Sequence, residues 1–222
     1  MLQRIIRIEN AGPDLRARRI FFEDDPDFRT TAAAVVKKLG IAEGLEIERA
    51  ALEESLAVEE LPLAKERALQ LIGYRERSAQ ELRSKLKDSG FPAHVAAAVV
   101  SRYTEVELID DNRFTSAWIR SRRFSGYGDR RIRRELEDKG IDSLMALSAL
   151  EADDGESELQ RAIDCLRGRR PRDRADSQRM IKRLLIRGFS VSSARAAVEE
   201  AATEDDEVLG GLTDGDTIGD LQ

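Results

Sequence analysis

From about Leu63 onward the apolar residues recur at helical spacing, and the pattern itself repeats. Leu82, Leu86, Gly90 and Phe91 return fifty positions later as Ile132, Leu136, Gly140 and Ile141. They return again after forty-eight more as Met180, Leu184, Gly188 and Phe189. Each set predicts a helix whose i, i+4 apolar pair faces a core. The glycine supplies the left-handed residue that ends the helix, and the apolar residue after it packs back in a Schellman arrangement. Lys139 and Arg187, just before the second and third glycines, suit the negative end of the helix dipole. Helical apolar spacing flanks every set: Ala68, Leu69, Ile72 and Val95, Val99, Tyr103 around the first; Phe114, Trp118, Ile119 and Leu144, Leu147, Leu150 around the second. Ala162, Cys165, Leu166 and Ala194, Ala197, Val198 flank the third. The pattern therefore predicts a mostly α chain of three tandem three-helix repeats, stacked in a curved, elongated array.

The first sixty residues read differently. Leu2 to Ile8 and Ala17 to Glu23 are short runs rich in Ile and Phe, separated by the turn formers Asn10-Ala11-Gly12-Pro13-Asp14, which predicts a β-hairpin. Thr30 or Thr31 is expected to cap a helix through Ala32, Val35, Val36 and Leu39 that ends at Gly40. Leu45 to Leu56 reads as a second helical or mixed segment, and Pro62 as lying near the start of the next helix. The expected boundaries are an N-terminal region at 1–60, repeats at 61–110, 111–155 and 156–202, and an acidic, disordered tail at 203–222.

Composition narrows the function classes. Hydrophobic residues make up 41%, charged residues 36% and aromatics only 5%, which suits thin helical layers with much solvated surface. A single cysteine, Cys165, excludes an intrachain disulfide framework, fits a cytoplasmic protein, and is expected to be a small buried helix residue. No stretch approaches the roughly 20 apolar residues that span a bilayer, and charges at Arg4, Arg7 and Glu9 argue against a signal peptide. The net charge of −6 hides an asymmetry. Arg161 to Arg195 holds eleven basic and three acidic residues, a balance of +8, whereas Glu199 to Gln222 holds nine acids and no base. A basic segment followed by an acidic tail suggests a polyanion-facing surface with a competitor attached.

Several stretches then become recognisable. Ala68 to Leu86 (ALQLIGYRERSAQELRSKL), Ile109-Asp110-Asp111-Asn112-Arg113-Phe114, and Gly126-Tyr127-Gly128-Asp129 running through Arg131-Ile132-Arg133-Arg134-Glu135-Leu136 to Lys139-Gly140-Ile141 resemble the RecX family. The resemblance covers roughly residues 60–200, in order and with matching spacing, and extends less closely to Leu39-Gly40-Ile41 and Gly44. It implies three-helix repeats, no catalysis and no cofactor. It also implies binding to RecA filaments on DNA, with restraint of RecA's ATP turnover, strand exchange and coprotease activity in DNA repair and the SOS response. The Arg-rich insertion Gly168 to Asp176 and the acidic tail depart from the family pattern.

The sharpest candidate surface is basic. A step of 100° per residue places Arg130 and Arg134 opposite the Ile132–Leu136 core face. Arg120, Arg122 and Arg123 add charge from the preceding helix and loop, while Arg169, Arg170, Arg172 and Arg174 form a second cluster in an expected loop, followed by Lys182 and Arg183. Such residues suit phosphates or an acidic protein groove; the plainer reading is a solvated face with pairs such as Arg131–Glu135. Trp118, Phe124 and Tyr127 lie among them, and Tyr127 is the expected candidate for stacking on a base of single-stranded DNA, with Trp118 in the core. Asp110 and Asp111 read as a helix cap rather than a metal pair, Gly126-x-Gly128 lacks the third glycine of a dinucleotide fingerprint, and His94 is expected to be exposed. The expected partners are the RecA filament and single- or double-stranded DNA, without a membrane, for a monomer. Two rivals are a general helical DNA-binding module and a metal nuclease built on Glu23, Asp24, Asp25 and Asp27.

Overall fold

The structure is a computed structural model and describes residues 2–152 and 155–203. The expected acidic tail therefore lies almost wholly outside the described residues. The described residues divide into two compact units, one within residues 2–114 together with 139–141 and the other within 115–138 together with 142–152 and 155–203.

In the first unit, β1 (Leu2–Ala11) and β2 (Ala17–Phe22) form the expected hairpin, and β3 (Phe28–Ala32) and β4 (Glu46–Glu48) extend it to a four-stranded antiparallel sheet of order β3-β2-β1-β4. Helix α1 (Ala33–Leu39) ends at Gly40 with φ +63°, as the sequence predicts, but neither threonine caps it. Thr31 is a strand residue whose hydroxyl donates to the buried carboxylate of Glu60 at 2.8 Å. Arg29 pairs with the same carboxylate at 3.1 Å. A buried charge needs such partners, and that demand outweighs the local capping preference of threonine.

The second correction concerns Pro62. It lies inside α2 (Arg49–Tyr74), not at a helix start. A proline within a helix removes one backbone donor. Here its ring faces solvent, while Leu52, Leu56, Glu60, Ala64 and Ala68 bury the opposite side and carry the helix through. Helices α3 (Ala79–Asp88) and α4 (Ala93–Glu105) follow. Leu82, Leu86, Phe91, Val95, Val99 and Tyr103 join Ile5, Ile20, Phe22 and Leu56 in one core.

The boundary between the units falls within α5 (Asp111–Phe124). The second unit contains α6 (Asp129–Asp138), α7 (Ser143–Ala152), α8 (Glu158–Leu166), α9 (Arg174–Ile186) and α10 (Val191–Thr203). Ala162, Leu166, Leu184, Phe189, Ala194 and Val198 form its C-terminal core. The helical periodicity holds, but three of the flanking leucines read from it are solvent-facing: Leu69, Leu144 and Leu147 are 50%, 77% and 41% exposed.

The three glycine turns behave as one motif. Gly90, Gly140 and Gly188 have φ of +94°, +81° and +94°. Phe91 N–H donates to Leu86 O and Phe189 N–H to Leu184 O, each at 3.2 Å, the six-to-one bond of a Schellman turn. Two of these turns, at Gly140 and Gly188, also meet the start of another repeat's middle helix, whereas Gly90 lies against Ala17 and Thr31 of the sheet. Ser78, the N-cap of α3, accepts the Glu81 N–H at 3.1 Å and donates its hydroxyl to Lys139 O at 2.6 Å. Gly128, at the start of α6, donates to Arg187 O at 3.0 Å, and Arg130 N–H donates to Gly188 O at 3.1 Å.

Candidate partner-binding surfaces

The start of α6 is held by a cluster of charges that includes Arg123, a residue the sequence offers as a partner contact. Asp129 receives Arg123 through Nε and Nη2 at 3.3 Å and Arg161 through Nη2 at 2.8 Å. Arg123 Nη2 also donates to Leu150 O at 3.0 Å, and the side chain is only 10% exposed. Arg123 thus ties α5 to α6 and α7 within this unit. Arg122 lies over the Trp118 ring at 4.3 Å and pairs with Glu135 at 2.7 Å. Trp118 is half-buried. The Tyr127 ring is half-buried between Arg122, at 5.8 Å, and Arg131, at 4.2 Å. The aromatic that stands free is Phe124, 97% exposed, one turn beyond the exposed Arg120. The sequence signal for it was its place at the end of a helix just ahead of a glycine turn.

Arg120, Arg130 and Arg134 are exposed, and their side chains have no hydrogen bond or ion pair among the described residues. Arg130 and Arg134 lie along a shallow groove of about 780 Å³ on the outer side of α6. Arg131 and Arg133 share it but are paired with Glu135 and Glu137 at 3.0 and 3.5 Å. Across the groove are Leu185, Ile186 and Val191.

A second concavity, of about 550 Å³, lies between the α8–α9 loop and α9. Arg169, Arg170, Arg172, Arg179 and Arg183 line it with one carboxylate, Asp176. The loop reverses direction through Arg167 and Gly168, both left-handed, and Asp173 caps α9 by accepting the Asp176 N–H at 2.7 Å. Four of the expected residues therefore converge here. Arg174 is instead the first residue of α9, and Lys182 is exposed outside the lining. Arg179 was not singled out from sequence, although its i, i+4 spacing to Arg183 was the available signal.

Other candidates take structural places. Asp110 accepts the N–H groups of Asn112 and Arg113 at 2.8 and 3.1 Å, the expected cap, and Asp111 accepts the Ala79 N–H at 2.8 Å. Cys165 is half-buried on α8, its thiol donating to Gly126 O at 3.3 Å. His94 is exposed. Asp25 pairs with Arg49 at 3.3 Å and accepts the Asp27 N–H. Among the described residues no three His, Cys, Asp or Glu side chains converge to hold a metal ion, and no helix is long and apolar enough to cross a membrane.

The fold is that of a helical protein built from three-helix units that carry cationic concavities on their surface. Comparison with known proteins makes this specific. Residues 64–102 match the model of "RecX, first three-helix domain", and residues 110–150 that of "RecX, second three-helix domain". The Regulatory protein RecX of Mycolicibacterium smegmatis is 38% identical over 152 residues, covering 64% of this chain and 81% of that protein. That of Xanthomonas axonopodis pv. citri is 39% identical over 136 residues, 60% of this chain and 83% of that protein. A crystal structure of regulatory protein RecX superposes with a TM-score of 0.56 at 20% identity, over 89% of this chain and 99% of that one. RecX from Lactobacillus salivarius gives 0.57 at 20% identity, over 65% and 97%. The chain belongs to the RecX family of regulatory proteins.

Proposed function

We propose that this chain binds RecA and RecA–DNA filaments in the cytoplasm and restrains RecA's ATP turnover, strand exchange and coprotease action in DNA repair and recombination, without catalysing a reaction itself. The observation that carries this reading, beyond family membership, is that Arg120, Arg130 and Arg134 are exposed and uncommitted among the described residues. Uncommitted guanidinium groups lose no internal pair on meeting an anionic partner. A regulator of this kind acts by binding one state of the filament better than another, since a ligand shifts an equilibrium only through differential affinity. The test is co-sedimentation with RecA–DNA filaments. Reversal of Arg130 and Arg134 to Glu is expected to weaken binding at unchanged thermal stability; unchanged binding counts against this surface.

The five-arginine concavity supports a second reading, a helical DNA-binding module acting without RecA. If about six phosphates are neutralised, log K falls with log salt at a slope near −5 on duplex DNA. Tight binding with such a slope and no RecA present favours it.

A further inference from the structure

We infer that the groove along α6 is a protein-docking site for an acidic amphipathic segment, one that offers carboxylates on one side and an aliphatic stripe on the other. The inference rests on the reading that this chain acts on a partner protein, and it names the chemistry the partner presents.

The two walls of the groove differ in kind. On the α6 wall, Arg131 and Arg133 are neutralised by Glu135 and Glu137 one turn later. The open positive charge is therefore that of Arg130 and Arg134, themselves one turn apart. Asp138, at the C-terminal end of the same helix, is the lining carboxylate without an ion pair among the described residues. The wall is thus positive in its first two turns and negative at its end. A segment whose carboxylates face Arg130 and Arg134, and whose acidic run stops short of Asp138, complements it.

The opposite wall is aliphatic. Leu185, Ile186 and Val191 are 37%, 68% and 45% exposed, although Leu184 beside them is in the core. Exposed aliphatic side chains next to uncommitted arginines call for a ligand that covers both. A nucleic-acid backbone satisfies the arginines and leaves Ile186 in water. An amphipathic helix satisfies both, in the manner of helix-in-groove recognition.

The α8–α9 concavity shows the contrast. Its arginines surround Leu166, which is buried, and Met180, which is half-buried, so it offers charge without an exposed aliphatic wall. The α6 groove is also pre-formed. The bonds from Gly128 to Arg187 and from Arg130 to Gly188 fix its two walls backbone to backbone, so little ordering remains to be done on binding.

The experiment uses the full chain and two fluorescent probes, read by anisotropy at one ionic strength. One probe is a helical peptide of about four turns with leucine on one face and glutamate on the other. The second is an oligo-dT strand. Two double variants are compared, Ile186→Ser with Val191→Ser, and Arg130→Gln with Arg134→Gln; all four residues are exposed, and thermal melts verify folding. Each double variant is expected to lower peptide affinity at least about tenfold, and the Ile186/Val191 variant is expected to leave oligo-dT affinity within about twofold. Three results overturn the inference: no binding of the peptide, a peptide loss confined to the arginine variant, or an equal loss of oligo-dT affinity in the aliphatic variant, which assigns the groove to nucleic acid. RecA is absent from this assay. A chain that binds the peptide yet leaves RecA untouched overturns only the proposed function. A chain that restrains RecA yet ignores the peptide overturns only the groove.

Discussion

Gly128 donates its N–H to the carbonyl oxygen of Arg187 at 3.0 Å, and a Cβ on Gly128 would sit 2.2 Å from the N of Phe189 and 2.3 Å from the carbonyl carbon of Gly188. The α5–α6 turn and the end of α9 thus meet with no room for a side chain. Gly128→Ala is expected to cost about 2–3 kcal/mol, as overpacking against rigid backbone does. Gly73→Ala, in α2 with nothing within 4 Å of the added carbon, is expected to stabilise by about 0.5–1 kcal/mol. Urea unfolding of both variants decides it; equal effects contradict the close-approach account.

Arg161 is 6% exposed, and Asp129 is the carboxylate it reaches. Its Nε and Nη1 have no hydrogen-bond partner among the described residues. Asp129→Asn is expected to cost about 3 kcal/mol, the low end for breaking a buried pair, because Asp129 keeps 30% side-chain exposure. Arg161→Met, which removes the buried charge itself, is expected to cost less than Asp129→Asn, and the order of the two midpoints in denaturant is the readout. The reverse order shows that the guanidinium contributes net stability.

Glu81 faces Arg75, Arg77 and Lys139, pairing with Arg77 at 2.5 Å and lying 3.9 Å from Lys139. Burial pushes its carboxyl up, but the hydrogen bond from Arg75 and the charges of Arg75, Lys139 and Arg77 outweigh that and hold it below the usual carboxylate range. A carboxylate lowered on folding contributes stability that is present above its unfolded value, about 4.3, and lost as pH falls through the folded value. The melting-temperature gap between the wild type and Glu81→Gln is therefore expected to be full at neutral pH and to close below about pH 4.3. A gap that stays constant to pH 3 contradicts this.

Phe124 is 97% exposed beside the uncommitted Arg120. If single-stranded DNA crosses this face, Phe124→Ala removes a stacking surface worth about 1–3 kcal/mol. Affinity for oligo-dT is expected to drop accordingly while the melting temperature stays put, and the loss is expected to persist as salt is raised. An unchanged affinity removes Phe124 from the binding face.

The repeat helices were legible because glycine punctuates a helical period at nearly constant spacing, and Gly90, Gly140 and Gly188 all take the left-handed conformation that this reading needs. The hairpin was legible because its two runs flank a dense cluster of turn formers. Strands β3 and β4 were not. They are five and three residues long; β4 pairs with β1 more than forty positions away, and β3, although it follows β2 directly, carries Thr30 and Thr31, which read as a helix cap. The fate of Thr31 depended on Glu60, twenty-nine positions away. The same limit divides the arginines. Sequence shows how many there are and which helix face they occupy. It does not show that Arg123 is committed to Asp129 and Leu150 O while Arg130 and Arg134 have no side-chain partner among the described residues, because the partners come from other helices.

The most direct test is RecA's DNA-dependent ATPase, with RecA from the same organism, titrated with this protein. The account predicts inhibition, and the ratio at which it sets in separates two modes. Onset well below one chain per RecA indicates action at filament ends or by disassembly; onset near equal ratios indicates coating of the filament. An ATPase that does not respond at any ratio, with strand exchange also untouched, contradicts the account and leaves the DNA-binding module in its place.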